Sequence, residues 1–435
     1  MNPKTFRIKS FGCQMNVYDG ERMAELLGDE GMRSAVDGED ADLVVLNTCH
    51  IREKAAEKAY SDIGRLRRED GSKPLIALAG CVAQAEGPEA KRRSKLIDMV
   101  VGPQAYHRLP DMIAEARRGK RPVDTGMPAL SKFDALPPRR RAAPSAFLTV
   151  QEGCDKFCSY CVVPYTRGAE ISRPWNDIVA EARSLAEAGA REIVLLGQNV
   201  NAWSDGSRGL AELIRGVAKI DGLERIRYTT SHPADMTDAL IAAHGEVDKL
   251  MPYLHLPVQS GSNRVLKAMN RSHTVETYLA ILEKVRATRS DIALSGDFIV
   301  GFPGETEEDF KATLSLVDEV GYASAYSFKY SPRPGTPAAS MEDQIAPDLM
   351  NDRLQRLHQR IDAHSLAFNR SKVGTETQIL IERKGRREGQ MIGKTPWLQS
   401  LHLETDAAPG EILDVAVLDA GPNSLVGALR AKAAA

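Results

Sequence analysis

The chain of 435 residues is short of several things, and each shortage narrows its class. No apolar run approaches the roughly 18–20 residues that a membrane-spanning helix needs. An excess of either charge is missing too: 57 Lys and Arg against 59 Asp and Glu leave a net charge of −2. Bulk charge therefore gives no sign of nucleic acid, and any such contact has to come from local patches. The start, Met1-Asn2-Pro3-Lys4-Thr5-Phe6-Arg7, runs into a strand-like pattern without an apolar h-region, so secretion is not expected. Repeats and long low-complexity tracts are lacking. What remains, 43% hydrophobic and 27% charged residues, is ordinary globular composition, which excludes collagen-like, disulfide-knot and wholly disordered classes. A cytoplasmic protein with no membrane attachment is expected.

Cysteine is scarce and uneven. Cys13, Cys49 and Cys81 are spread over the first part of the chain, whereas Cys154, Cys158 and Cys161 fall within eight residues. In a cytosolic chain this points to metal or catalysis rather than disulfides. At roughly 150 residues per domain, the length allows about three domains. Residues 131–145, SKFDALPPRRRAAPS, have linker composition. Upstream, strand-like Phe6–Phe11, Leu43–Leu46, Leu75–Ala79 and Met99–Val101 alternate with helical segments such as Val17–Leu27. That alternation implies an α/β domain, an open parallel sheet with flanking helices, over 1–135.

A second α/β region, 143–370, carries six candidate strands: Phe147–Gln151, Ile193–Leu196, Ile226–Thr230, Tyr253–Val258, Ala293–Val300 and Ala325–Tyr330. Asn176 or Asp177 is expected to cap a helix ending before Gly189. Leu210, Leu213, Ile214 and Val217 form a stripe, and Thr306-Glu307-Glu308-Asp309 has the form of a capping box. Six strand–helix units fall short of the eight of a closed barrel, so a partial (β/α)6 barrel is expected. A helical stretch with Leu349, Leu354, Leu357 and Ile361 leads to 371–435. There, short apolar runs (Thr377–Ile381, Leu398–Leu403, Ile412–Leu418, Leu425–Leu429) between Gly-containing turns predict a small all-β barrel.

Cys154-Asp155-Lys156-Phe157-Cys158-Ser159-Tyr160-Cys161 is a Cys-x3-Cys-x2-Cys run after the first strand of the partial barrel, where catalytic loops of such folds gather. Three thiolates on one tight loop suit three irons of a [4Fe–4S] cluster and leave one iron open. Structural zinc, the competing explanation, needs four ligands, and no fourth lies near. Cys13, Cys49 and Cys81 each sit just past the carboxyl end of a predicted strand, and in an open parallel sheet those ends line one crevice. Three buried structural cysteines are the plainer alternative. Gly12, Thr48 and Gly80 keep the approaches small, which favours a second cluster.

With these residues the chain resembles the radical S-adenosylmethionine methylthiotransferases over essentially its whole length. The cysteine loop alone would indicate only the superfamily. Phe11-Gly12-Cys13-Gln14-Met15-Asn16, Asn47-Thr48-Cys49 and Ala79-Gly80-Cys81 resemble the amino-terminal methylthiotransferase domain. Val162 to Glu170, Leu256 to Ser262 and Gly301 to Thr306 resemble the members acting on isopentenylated adenosine in tRNA, and the tail resembles a TRAM domain. The resemblance implies two [4Fe–4S] clusters and S-adenosylmethionine, one molecule as methyl donor and one as radical source. It assigns Cys154, Cys158 and Cys161 to the cluster that binds S-adenosylmethionine, and Cys13, Cys49 and Cys81 to the auxiliary cluster. Tyr160 matches the aromatic position near the bound adenine. Gly197-Gln198-Asn199 match the site for the methionine amino group, with polar groups where an acidic residue is commoner, and a plain strand-to-helix turn is the alternative there. Gln259 and Ser260 join the implied cofactor contacts. The target implied is C2 of N6-isopentenyladenosine at position 37, beside the anticodon.

RNA contacts are sought in basic patches: Lys91-Arg92-Arg93-Ser94-Lys95, Arg139-Arg140-Arg141, and Arg383, Lys384, Arg386 and Arg387 with Lys394 and Trp397 nearby. Each competes with an ordinary solvated face. The nine histidines form no ligand pattern; His50 and His255 are the ones to watch. Expected partners are a tRNA anticodon stem-loop, a cellular one-electron reductant and a sulfur donor, with the protein a monomer. The same chemistry on threonylcarbamoyl-adenosine, or on an aspartate of a small-subunit ribosomal protein, is the near alternative. A non-enzymatic iron–sulfur carrier or RNA-binding factor is the distant one.

Overall fold

The computed structural model describes residues 3–50, 53–67, 71–127 and 132–430. Ser131 of the expected linker and the outermost ends of the first and last expected domains lie outside the described residues. The chain divides into two compact units. One comprises Met1–Arg140, Glu152–Asp155 and Cys161–Ile171; the other Arg141–Gln151, Lys156–Tyr160 and Ser172–Ala435.

In the first unit six parallel strands, β1 (Thr5–Phe11), β2 (Arg33–Ser34), β3 (Leu43–Thr48), β4 (Leu75–Gly80), β5 (Met99–Val101) and β6 (Val123–Asp124), lie in the order β2-β1-β3-β4-β5-β6. Burial of both faces explains why the central strands β3 and β4 are apolar apart from Asn47 and Thr48 at the end of β3. Leu43 and Val45 of β3 enter one core with Met23, Leu27 and Tyr106, while Val44 and Leu46 enter the opposite core with Ile63 and Ile97. A parallel sheet covered on both faces buries both side-chain sets. The two-residue edge strands β2 and β6 are too short to show any periodicity.

In the second unit six parallel strands follow one another in chain order, as expected, but in two sets of three. Ser145–Thr149, Glu192–Leu196 and Arg225–Thr229 form one ladder, and Tyr253–His255, Ala293–Val300 and Ser324–Lys329 the other. Among the described residues an isolated parallel bridge joins Ile226 of the first set to Leu250, just ahead of the second. Pro252 has no N–H to donate, which interrupts the ladder between the sets. Pro257, together with Gln259 at φ +78°, likewise cuts the strand expected over Tyr253–Val258 to three residues. The expected cap at Asn176 or Asp177 is corrected: the helix runs Trp175–Glu187 from Pro174, with no side-chain cap, and Trp175 packs against Trp203. Thr306 and Asp309 do form a capping box. The core around Leu148, Ile193, Ile226, Leu254 and Phe298 fills the barrel wall.

The tail is a closed barrel of Glu376–Lys384, Gln390–Lys394, Ser400–Glu404, Ile412–Ala420 and Ser424–Leu429. Gln390–Lys394 was not expected, because its apolar run is only Met391-Ile392 before Gly393. A Cβ at Gly393 would come within 2.5 Å of the Leu380 carbonyl, so the strand crossing needs glycine. Among the described residues no helix is long and apolar enough to cross a membrane.

Candidate active site

Sheet register brings the first three cysteines to one edge. Phe11 of β1 pairs with Thr48 of β3, and Thr48 with Gly80 of β4. Cys13 lies two residues beyond that row, and Cys49 and Cys81 one residue beyond it. Cys13 caps the helix Gln14–Asp29, its carbonyl accepting from the N–H groups of Asn16 and Val17. Cys81 opens the helix Cys81–Glu86. Behind them Asn16 donates to Asn47 Oδ1 at 3.0 Å and Asn47 returns a bond to the Asn16 carbonyl at 2.7 Å, while Asn16 Oδ1 accepts from the Cys13 thiol at 3.0 Å, so this buried pair ties the floor to one of the sulfurs.

The thiols share one field. A hydrogen bond with Cys49, helped by Arg167 and opposed by burial, lowers Cys13 to about 6. Burial raises Cys81, with Arg167 pulling the other way. All six cysteines are free of disulfides. Among the described residues no three His, Cys, Asp or Glu side chains close to the spacing of a single ion. A lone tetrahedral zinc with bonds near 2.3 Å would hold its sulfurs roughly 3.8 Å apart. A cube of four irons takes thiolates at its corners, more widely spaced, and an all-sulfur donor set suits it. Three converging thiols, an all-sulfur donor set, fit such a cluster.

The second triplet lies on a loop held by backbone bonds. Gly153 has φ +74°, and a Cβ there would come 1.9 Å from the Ala169 carbonyl, so only glycine fits before Cys154. The Cys154 N–H donates to the Gly168 carbonyl at 3.3 Å. Ser159 donates through its N–H to the Met269 carbonyl at 3.0 Å and through its hydroxyl to that of Ala268 at 2.9 Å. Arg271 Nη1 approaches Cys158 Sγ at 3.8 Å, and the Val163 N–H donates to Cys161 Sγ at 3.5 Å.

The expected cofactor contacts separate into two kinds. Tyr160 packs half-buried against Val265, Met269 and Phe302. The N–H groups of Gln198 and Asn199 donate to Gln151 Oε1 at 2.9 and 3.1 Å, and a Cβ at Gly197 would come within 2.6 Å of the same oxygen. Asn199 Nδ2 donates to Asp235, which also pairs with Lys156 at 2.8 Å. Gln259 is seated on the barrel wall by backbone bonds with Asp297 and Ile299, and the hydroxyl of buried Ser260 meets that of Thr313 at 3.4 Å. Gln151, Lys156, Asp235 and Arg271 were not anticipated; Gln151 and Asp235 follow strand exits, which was the available signal. His255 lies in the wall, its Nδ1 accepting from the Thr230 N–H and its Nε2 paired with Asp297 at 3.2 Å.

The basic patches fare differently. Arg92 and Arg93 pair with Glu89 and Glu86, and Lys91 donates to the Arg121 carbonyl. Arg139 is buried on Glu21 and Glu25, and Arg140 pairs with Asp29. Four of these cations, Arg92, Arg93, Arg139 and Arg140, are therefore paired locally with carboxylates, which sequence spacing cannot reveal. On the terminal barrel Arg383, Arg386 and Arg387 line a cleft of about 990 Å³ together with His402 and Asn423. Lys384 is exposed on the same strand as Arg383. Lys394 and Trp397 are not in the cleft's lining: Lys394 donates to Ser400, and Trp397 packs near Tyr253, Ala293 and Phe368 with Lys372 over its ring at 4.1 Å.

Residues 5–102 match the model of the uncharacterized protein family UPF0004, 148–317 that of the radical SAM superfamily and 370–429 that of the TRAM domain. The chain is 68% identical over 431 residues to a tRNA-2-methylthio-N(6)-dimethylallyladenosine synthase of Sphingopyxis alaskensis, covering 98% of this chain and 97% of that one. It is 66% identical over 433 residues to the enzyme of that name from Novosphingobium aromaticivorans, covering 98% of each. Among solved structures it resembles the radical S-adenosylmethionine methyltransferase TsrM of Kitasatospora setae, with a TM-score of 0.59, 16% identity and coverage of 78% and 77%. It also resembles the cobalamin-dependent S-adenosylmethionine radical enzyme OxsB, with a TM-score of 0.54, 14% identity and coverage of 83% and 56%. Those two likenesses bear on the fold alone. From identity at this level over nearly the full length, the chain belongs to the tRNA-2-methylthio-N(6)-dimethylallyladenosine synthase family.

Proposed function

We propose that the protein adds a methylthio group to C2 of N6-isopentenyladenosine at position 37 of tRNA, using two [4Fe–4S] clusters and S-adenosylmethionine. The convergence of Cys13, Cys49 and Cys81 at adjacent strand exits, in addition to the cysteine loop, carries this reading, because ordinary radical chemistry needs only the loop. Cys154, Cys158 and Cys161 would hold one cluster and Cys13, Cys49 and Cys81 the other. When bound, these groups supply the radical that an unactivated C–H demands and the sulfur that is transferred.

The chain's own residues bind, orient and shield. Tyr160 offers an aromatic face on an apolar bed, suited to an adenine ring. Gln151 fixes the 197–199 turn, so that Asn199, Asp235 and Lys156 present both charges to a zwitterionic amino acid group. Arg383, Arg386 and Arg387 supply the phosphate-binding surface, with Lys384 beside them. Residues 1–135, 143–370 and 371–435 form the working parts for sulfur delivery, radical generation and RNA binding. The enzyme works in the cytoplasm as a monomer, with a one-electron reductant and a sulfur donor of the cell. Cys158→Ala tests the division of labour: S-adenosylmethionine cleavage is lost while the auxiliary iron stays, and persistent cleavage overturns the assignment.

A further inference from the structure

Beside the cysteines, the first compact unit holds four charges with almost no solvent contact. The side chains of Lys132, Asp19, Glu152 and Arg167 are 0, 1, 4 and 2% exposed. Arg167 donates to Asp19 at 2.6 Å and to Glu152 at 3.0 Å. Lys132 donates to Glu152 at 2.7 Å and to the Pro103 carbonyl at 2.9 Å, and pairs with Asp19 at 3.4 Å. Gln104 donates to the other Glu152 oxygen at 2.9 Å. Two cations and two carboxylates cancel.

Such a set is expensive to desolvate, and well-packed apolar side chains often replace buried ion pairs without loss, so stability alone does not explain it. Its position does. The Arg167 guanidinium is held by both carboxylates, and its helix Val163–Arg167 packs against the helix Cys81–Glu86 that opens on the cysteine, which brings the charge to the Cys81 end of the site; there it favours the ionised form of Cys81 and Cys13 alike. A guanidinium keeps its charge at any working pH, and the bonds to Asp19 and Glu152 fix where that charge lies. A planar fork can bridge two carboxylates and still offer an N–H to sulfur, which a lysine point charge does less well. Arg167 also ends the short helix Val163–Arg167, which starts two residues beyond Cys161.

We propose that Arg167 is a positioning residue of the auxiliary centre, clamped by Asp19 and Glu152 so that a fixed positive charge rests on the Cys81 sulfur and sets the reduction potential of the group held there. The inference rests on reading Cys13, Cys49 and Cys81 as cluster ligands. A centre gains negative charge on reduction, so a fixed cation at its ligand favours the reduced form and raises the potential.

The test is a redox titration followed by electron paramagnetic resonance, in full-length protein whose Cys154, Cys158 and Cys161 are alanine, so that only the auxiliary centre reports. Arg167→Gln is expected to shift the potential downward, Glu152→Gln upward, and Arg167→Lys to leave it near the parent value. Opposite signs from two partners of one ion pair would not arise from a structural role. Should Arg167→Gln fail to fold, Glu152→Gln and Arg167→Lys decide the matter. An unmoved potential in Glu152→Gln, with iron retained, overturns the proposal but leaves the cluster reading standing. Absence of iron from the parent variant, with its three remaining cysteines intact, overturns that reading itself.

Discussion

Alanine at position 12 should separate the two cysteine centres. Gly12 has φ +116°, and a Cβ there would lie 2.1 Å from the Cys49 Cβ and 3.2 Å from its sulfur. Cys49 has little room to retreat, since its N–H is bonded to the Phe11 carbonyl at 3.0 Å and Thr48 is fixed in register between Phe11 and Gly80. The left-handed backbone costs an L residue about 1–2 kcal/mol, and the forced shift about 1–3 kcal/mol more. A total of about 2–5 kcal/mol lowers the melting temperature of the first unit by on the order of 10 °C. More telling is the iron. In anaerobically reconstituted Gly12→Ala the content should fall from about eight to about four per chain, with S-adenosylmethionine cleavage retained and methylthio transfer lost. A variant with full iron, an unchanged melting curve and wild-type transfer would refute the crowding argument.

Two further outcomes follow from buried and exposed charge. His244 pairs with the Tyr228 hydroxyl at 2.7 Å, and burial, with Arg289 adding to it, holds its pKa down at about 4. Because the unfolded chain takes up this proton first, stability present above pH 6.5 is lost as the pH falls toward 4, by about 3 kcal/mol for this group. Urea midpoints at pH 7 and 4.5 should therefore differ less in His244→Gln, and an equal drop in both proteins would contradict the assignment. Replacing Arg383, Arg386 and Arg387 by alanine should reduce the slope of log affinity for tRNA against log salt by about 2–3 while leaving cofactor cleavage intact. An unaltered slope would move the RNA surface elsewhere.

Much of the fold was legible because strands carry their own pattern. Met99–Val101 and Ala293–Val300 have the bounds that their apolar runs announce. Cys13, Cys49 and Cys81 could be placed together because strand exits in a parallel sheet share an edge. What escaped was long-range charge. Lys132 and Arg139 sit in a stretch rich in proline and arginine, where composition reads as solvated linker, yet both are buried on carboxylates. Asp19 and Arg167 are 148 residues apart, and no local pattern connects them. The strand Gln390–Lys394 was hidden because barrel closure, rather than its own propensity, makes it a strand. Lys394 and Trp397 were grouped with the arginines by closeness in sequence; Lys394 borders their cleft through Ser400, whereas Trp397 packs by Tyr253, Ala293 and Phe368.

The central claim is the substrate, and mass spectrometry of tRNA nucleosides from cells with and without this gene tests it most directly. Without the gene N6-isopentenyladenosine should accumulate and its 2-methylthio derivative disappear, and the wild-type chain should restore the derivative. An unchanged amount of that derivative in cells lacking the gene would contradict it.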